Sequence, residues 1–126
     1  MADPQENKET VIAYYNMAFN ERKPAEAAKN YGGPYYTQHN PQAPDGFEAF
    51  VRFVEGFVEQ SPPMSLEINR ALAEGDMVVT HSLLTTSTKD RGTALADFFR
   101  LEAGKVVEHW DVVPVPESSA KDHPMF

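Results

Sequence analysis

The spacing of the hydrophobic positions changes near the middle of the chain. Up to Gln60 the apolar residues recur three or four positions apart, which predicts helices. From Met64 onwards apolar and polar residues alternate, which predicts half-buried strands. Helices followed by mainly antiparallel strands predict an α+β domain, in which a curved sheet wraps around the helices and leaves a cone-shaped cavity.

Three helices are predicted in the first half. Asp3-Pro4-Gln5-Glu6 supplies an N-cap residue, a proline at the first helical position and a glutamate that closes a capping box. A short second helix is expected from Pro24 to the Gly32-Gly33 pair. A second capping signature begins at Asp45. The helix after it has the broadest apolar stripe of the chain: Phe47, Phe50, Val51, Val54, Phe57 and Val58.

The strands are predicted from rows of alternate residues, since such residues share one face of a sheet. Residues 35–39 form a short extended piece before a Pro-rich loop. The last strand is expected to place His109 and Asp111 on one face. Three apolar rows define the strands between: Met64, Leu66, Ile68 and Leu72; Met77, Val79, His81 and Leu83; and Thr93, Leu95, Asp97, Phe99 and Leu101.

Composition narrows the function classes. The 126 residues suit a single domain, 1–126, with an ample core. A net charge of −8 argues against nucleic acid or an anionic membrane as partner. The lack of cysteine excludes disulfides and thiolate chemistry. The sequence has no apolar run of about 20 residues and no signal-peptide pattern at its start, so a cytoplasmic location is expected.

One residue of the apolar row in the fourth strand is an acid, Asp97. A carboxylate removed from water is costly unless it has partners or a function. His109 and Asp111 lie two apart on the next strand and face the same way. The hairpin is therefore expected to carry an acid/base site, with Asp97 as the base and His109 as its partner. The same pair could instead be purely structural, bridging two strands.

The neighbour of Asp97 depends on the turn at Gly104. A three-residue loop, residues 102–104, sets Asp97 opposite His109, whereas a two-residue loop sets it opposite Trp110. The three-residue loop is preferred because register follows the buried face. It keeps these apolar residues together: Leu95, Phe99, Val107 and Val113.

Other residues are candidates for the pocket. His81 lies in an apolar row, where it is either a satisfied core residue or a hydrogen-bond donor to a developing enolate oxygen. Gln38, His39 and Asn40 lie at a strand end before a loop, a common place for functional residues. Asn40-Pro41 could equally be a turn starter. Further substrate contacts are expected from Tyr15, Phe53, Phe99 and Asp111.

No metal and no cofactor is expected. His39, His81 and His109 match the ligand number of a catalytic zinc site. However, the chain has no motif of the HExxH kind.

The order helix–helix–YYTQHNP–helix–strands, ending in ALADFFRLEAGKVVEHWDVVP, resembles the SnoaL-like polyketide cyclases of the nuclear transport factor 2-like superfamily. The branch described as SnoaL-like aldol condensation-catalysing proteins is the most similar. The resemblance covers essentially the whole chain and implies a cone-shaped α+β barrel that forms a dimer through the outer sheet face. It also implies that Asp97 is a general base, which removes a proton α to a carbonyl so that the enolate can close a ring.

Two function classes follow. The first is a cofactor-independent acid/base enzyme for the aldol condensation, cyclisation or isomerisation of a small hydrophobic carbonyl compound. The second is a non-catalytic module of the same fold that binds a small molecule or dimerises. A homodimer is expected because Phe98, Trp110 and Val112 share the outer face of the hairpin. The apolar end Met125-Phe126 is expected to pack against a pocket.

Overall fold

The computed structural model describes residues 2–40, 43–87 and 92–112. The Met125-Phe126 end lies outside these residues. The first half contains helix α1 (Pro4–Tyr15), a π-helical segment (Asn16–Asn20), helix α2 (Pro24–Tyr31), strand β1 (Gly32–Gln38) and helix α3 (Phe47–Gln60). The second half contains strands β2 (Ser65–Glu74), β3 (Met77–Thr85), β4 (Thr93–Glu102) and β5 (Lys105–Asp111).

The two predicted capping sites behave differently. The side chain of Asp3 accepts a hydrogen bond from the backbone N–H of Glu6 at 2.9 Å, so Asp3 is confirmed as the N-cap residue of α1. The prediction for Asp45 is wrong, because α3 is preceded by Gly46 with φ 100° and no side-chain cap. Asp45 instead accepts a hydrogen bond from the backbone N–H of Gln38 at 2.7 Å. Its carboxylate therefore fixes the loop to the end of β1.

The strands form one five-stranded sheet in the order β1-β5-β4-β3-β2. Strand β1 runs parallel to β5, and the other neighbours are antiparallel. The helices pack on the inner face of the curved sheet, which confirms the predicted α+β architecture. No helix among residues 2–40 and 43–60 is both long and apolar enough to cross a membrane. The core where helices and sheet meet includes Val11, Tyr14, Phe50, Val54, Val78, Phe99 and Val106.

Strand β3 faces the opposite way from its prediction. Val78, Thr80 and Ser82 are fully buried, whereas His81 is on the outer side. The pairing with β4 sets Thr80 opposite Asp97, and directly paired residues share one face of a sheet. The placement of His81 in the inner row was therefore wrong.

A bulge in β2 changes which of its side chains face the inside of the sheet. The register with β3 shifts between Ile68 and Arg70. One extra residue moves every later side chain to the other face. Leu72 was predicted on the same face as Leu66, but it is 70% exposed.

The β4–β5 turn has two residues rather than the preferred three. Glu102 pairs with Lys105, and the residues between them have positive φ values, 50° for Ala103 and 76° for Gly104. Positive φ at both central residues is the geometry of a type I′ hairpin turn. The prediction of a three-residue loop was therefore wrong.

A bulge beside this turn restores the expected facing of the site residues. The register shifts between Arg100 and Leu101, so that Asp97 is opposite Asp111 and Phe99 is opposite His109. The prediction that Asp97 pairs directly with His109 was wrong. Both side chains nevertheless face inward, since each is only 3% exposed.

Candidate functional site

A cavity of about 290 Å³ lies between the helices and the inner face of the sheet. Its apolar lining comes from Phe19, Ala43, Phe50, Phe53, Phe57, Leu66, Leu84 and Leu95. Its polar lining, called here the polar cluster, consists of Tyr15, Gln38, Asn40, Asp97, His109 and Asp111. The volume is close to the lower limit of about 300 Å³ for ligand pockets, which favours a compound of one or two rings.

A buried hydrogen-bonded chain runs through the polar cluster. His109 Nε2 lies 2.8 Å from Asp97 Oδ1, and His109 Nδ1 lies 2.6 Å from Gln38 Oε1. Gln38 Oε1 also accepts a hydrogen bond from the backbone N–H of His39 at 3.1 Å, which fixes the orientation of the amide. With the amide in this orientation, the Nδ1–H of His109 donates a hydrogen bond to Gln38 Oε1.

This tautomer determines the proton count of the Asp97–His109 pair. With Nδ1 protonated, a 2.8 Å contact between Nε2 and Oδ1 is a hydrogen bond only if one further proton lies between them. That proton belongs either to an imidazolium beside a carboxylate or to a carboxylic acid beside an imidazole. Asp97 and His109 are thus a buried hydrogen-bonded pair of one acid and one base, the arrangement that acid/base chemistry uses.

The two oxygens of Asp97 have different surroundings. Oδ1 contacts His109 Nε2 and, at 3.4 Å, the hydroxyl of Tyr15. Oδ2 is buried and has no hydrogen-bond partner among the described residues. A buried acceptor without a partner is costly to the fold. Asp97 lines the cavity, and Oδ2 is its oxygen without a partner among the described residues.

Tyr15 brings a neutral donor to the same place. Its hydroxyl lies 3.0 Å from His109 Nε2, and its ring packs edge-on against Phe99 at 4.9 Å. Burial, followed by the negative charge of Asp97, raises the pKa of Tyr15 well above its usual range. The phenol therefore keeps its proton and remains a hydrogen-bond donor at ordinary pH.

Asp111 is a second carboxylate in the cavity. It pairs across the sheet with Asp97, and its Oδ2 accepts a hydrogen bond from Asn40 Nδ2 at 2.6 Å. A ligand atom from each of Asp97, His109 and Asp111 lies within 4.8 Å of the others. The polar cluster therefore holds two acidic side chains and one imidazole in a small space.

Two predicted site histidines lie outside the cavity. The ring of His39 stacks on Trp110 with centroids 4.7 Å apart, and its Nε2 contacts Glu108 Oε2 at 2.8 Å. This contact, supported by Arg100, holds the pKa of the Glu108 carboxyl below its usual range. His81 Nδ1 accepts a hydrogen bond from the Arg70 guanidinium at 2.5 Å on the outer face. Neither imidazole is placed to contact a ligand in the cavity.

The other predicted residues divide as follows. Tyr15, Gln38, Phe53, Asp97, His109 and Asp111 line the cavity. Phe99 does not; it is fully buried behind the site, with its ring 5.0 Å from that of His109. The zinc ligand set considered from the sequence is not formed, because His39 and His81 are on the outer side while His109 is inside.

Asn40 was considered from the sequence either as a functional residue at a strand end or as a turn starter, and no partner was predicted for it. In the structure it holds the carboxylate of Asp111. A signal was present, since alternate residues of an extended segment share a face. Gln38 and Asn40 have that spacing and both line the cavity, with His39 between them pointing outward.

Comparison with known proteins places the chain among proteins of similar fold. Residues 11–109 match the family described as SnoaL-like domain. No curated protein matches the chain. TsrD from Streptomyces laurentii has a similar structure, with a TM-score of 0.75 and 20% identity over 89% of this chain and 90% of that one.

Two other solved structures are similar over most of their lengths. A protein of Acidithiobacillus ferrooxidans, provisionally described as a polyketide cyclase, gives a TM-score of 0.74 at 20% identity, over 89% of this chain and 90% of its own. A protein of Kribbella flavida, provisionally described as a ketosteroid isomerase, gives 0.71 at 20% identity, over 100% and 93%. At this identity the likeness shows the fold.

Proposed function

Because the chain belongs to the SnoaL-like domain family, we propose that its cavity is the active site of a cofactor-independent acid/base enzyme for small hydrophobic carbonyl compounds. The observation that carries the proposal is Asp97 Oδ2, a buried carboxylate oxygen without a hydrogen-bond partner among the described residues. Asp97 lines an apolar cavity, and a carboxylate with an unpaired oxygen in such a place is suited to remove a proton from a bound ligand.

The proposed first step is removal of a proton α to a carbonyl. Asp97 Oδ2 takes the proton, and the electrons of the C–H bond move to the carbonyl oxygen to give an enolate. The Tyr15 hydroxyl donates a hydrogen bond to that oxygen, where negative charge develops. In a condensation the enolate carbon attacks a second carbonyl and the new alkoxide takes the proton from Asp97. In an isomerisation Asp97 returns the proton to a different carbon.

His109 and Gln38 act on this step as positioning residues. His109 holds Asp97 Oδ1 at 2.8 Å, and Gln38 fixes the tautomer of His109 at 2.6 Å. With Oδ1 engaged, the proton is taken by Oδ2. A base aligned before the ligand arrives does not have to reorganise during the reaction.

The names of structurally similar proteins support this class of chemistry. One is provisionally described as a polyketide cyclase and another as a ketosteroid isomerase. Aldol cyclisation and ketosteroid isomerisation both begin with removal of a proton next to a carbonyl. The cavity of about 290 Å³ favours a smaller substrate than a tetracyclic polyketide.

The proposal is tested by exchange of α protons for deuterium. Isovalerophenone, a neutral ketone of one ring, is dissolved with the protein in heavy water and its CH₂ signal is followed by NMR. We expect the signal to decay at a rate proportional to protein concentration and above that of buffer alone. Binding of the ketone without exchange would contradict the proposal and identify a non-catalytic binding module.

We also propose that the chain forms a homodimer through the outer sheet face. Phe98 pairs with Trp110 on that face, and Val112 beyond them is 53% exposed. Apolar side chains grouped on an open sheet face are stabilised when a second copy covers them. Light scattering should give twice the chain mass of 14.1 kDa. A mass equal to one chain at micromolar concentration would refute the dimer.

A further inference from the structure

The polar cluster has an excess of negative charge. Asp97 and Asp111 are directly opposite in the register of β4 and β5. Like charges in that position destabilise a sheet. Among the described residues, those that line the cavity include neither lysine nor arginine. Even with His109 protonated, two carboxylates leave the cluster with one net negative charge.

Aromatic rings form much of the cavity wall, and such rings can attract a cation. Five rings line the cavity: Tyr15, Phe19, Phe50, Phe53 and Phe57. The face of an aromatic ring carries partial negative charge and attracts a cation, more strongly where water is excluded. A neutral or anionic ligand would supply no positive charge to this wall or to Asp111.

We propose that the ligand of this cavity is a small carbonyl compound that carries a protonated amine. The inference rests on the proposed function, since the amine and the enolisable carbon belong to one molecule. Asp111 binds the ammonium group, and Asn40 holds Asp111 in place through its Oδ2. Asp97 Oδ2 then faces the carbon that loses its proton. The aromatic wall covers the rest of the ligand.

The spacing of the cluster admits a ligand that bridges the two carboxylates. One atom each of Asp97, His109 and Asp111 lies within 4.8 Å of the others. An ammonium that donates two hydrogen bonds of about 2.8 Å spans acceptors about 4.6 Å apart. Asp97 and Asp111 are therefore within reach of one ammonium group. The same atoms also form a possible set of metal ligands, so the experiment includes metal ions.

Three matched ketones test the proposal by their equilibrium binding. Isovalerophenone is neutral; 3-amino-1-phenylbutan-1-one has the same shape with an ammonium group in place of one methyl group; benzoylpropionate carries a carboxylate. Binding is measured by calorimetry at a pH where the amine is protonated. We expect the amine to bind at least about tenfold more tightly than the neutral ketone, and the carboxylate more weakly than either. If the neutral ketone binds the unaltered protein as tightly as the amine or more tightly, the inference is overturned.

Two variants test whether Asp111 causes the tighter binding of the amine. Asp111→Asn should reduce the ratio of amine to neutral affinity to about one, since the amide keeps the shape and loses the charge. Glu74→Gln removes an exposed carboxylate at the end of β2 and is the control for net charge, so its ratio should stay unchanged. A ratio that falls equally in both variants would assign the preference to the overall field of the protein and overturn the role of Asp111.

The outcomes separate this inference from the proposed function. Selective binding of the amine without deuterium exchange in any ketone would defeat the enzyme and leave the ligand class standing. Deuterium exchange in all three ketones without a preference in affinity would support the enzyme and defeat the proposed ligand class. Mn²⁺ and Zn²⁺ are titrated alone; binding of one ion per chain that displaces the amine would assign the acidic cluster to a metal and overturn the inference.

Discussion

Replacing Asp97 with asparagine is expected to abolish deuterium exchange of the ketone while the protein stays folded. The amide keeps an oxygen that can accept the hydrogen bond from His109, but it has no basic oxygen to take the α proton. Loss of a general base typically costs about 10²–10⁴ in rate. The exchange rate is measured by NMR at saturating isovalerophenone.

The stability of the same variant provides a second test. Asp97 is 3% exposed and one of its oxygens has no partner among the described residues, so the carboxylate destabilises the fold. The melting temperature of Asp97→Asn should therefore equal or exceed that of the unaltered protein, as is common when a functional group is removed. Asp76→Asn, in the exposed β2–β3 turn, is the matched control and should change neither quantity. An unaltered exchange rate in Asp97→Asn would exclude Asp97 as the base.

The inner facing of Asp97 could be predicted from the sequence because it breaks a local rule. An acid in the middle of an apolar row is expensive, and only one face of β4 offers such a row. Strand β3 gives no comparable signal. Both of its faces contain apolar residues, and the polar side chains of Thr80 and Ser82 are the ones that face inward. His81 was misplaced because its row was the more apolar of the two.

The register of the hairpin could not be predicted because a bulge has no fixed sequence signature. The shift between Arg100 and Leu101 adds one residue to the two-residue turn. The inner face therefore matches the prediction although the turn does not. Trp110 pairs with Phe98 instead of facing Asp97, and His109 reaches Asp97 diagonally.

Contacts between distant parts of the chain were the least predictable. Asn20, in the π-helical segment, donates to the backbone C=O of Leu66 at 2.7 Å and accepts from its N–H at 2.8 Å. The π-helical segment is therefore tied to a strand that begins 45 residues later, and the periodicity of the helix does not reveal it. Gln38 likewise reaches His109 only because β1 lies parallel to β5. The sequence suggested Gln38 as a site residue but not its neighbour, and it drew no attention to Asn20.

Replacing Tyr15 with phenylalanine is expected to slow deuterium exchange by about 10²–10³. The hydroxyl donates most strongly to the enolate oxygen, which carries more negative charge than the ground-state carbonyl, so kcat should fall while KM changes little. The ring would still pack edge-on against Phe19 at 5.0 Å and Phe99 at 4.9 Å, so the fold should be retained.

Tyr14→Phe is the matched control for this change. Tyr14 is fully buried next to Tyr15, with ring centroids 5.6 Å apart, but it does not line the cavity. Removing the Tyr14 hydroxyl should leave the exchange rate within about twofold of that of the unaltered protein, since no charge develops beside this hydroxyl in the transition state. If the two variants lose activity equally, the Tyr15 hydroxyl contributes to packing alone. If only Tyr15→Phe is slow, and KM is unchanged, the hydroxyl acts on the transition state.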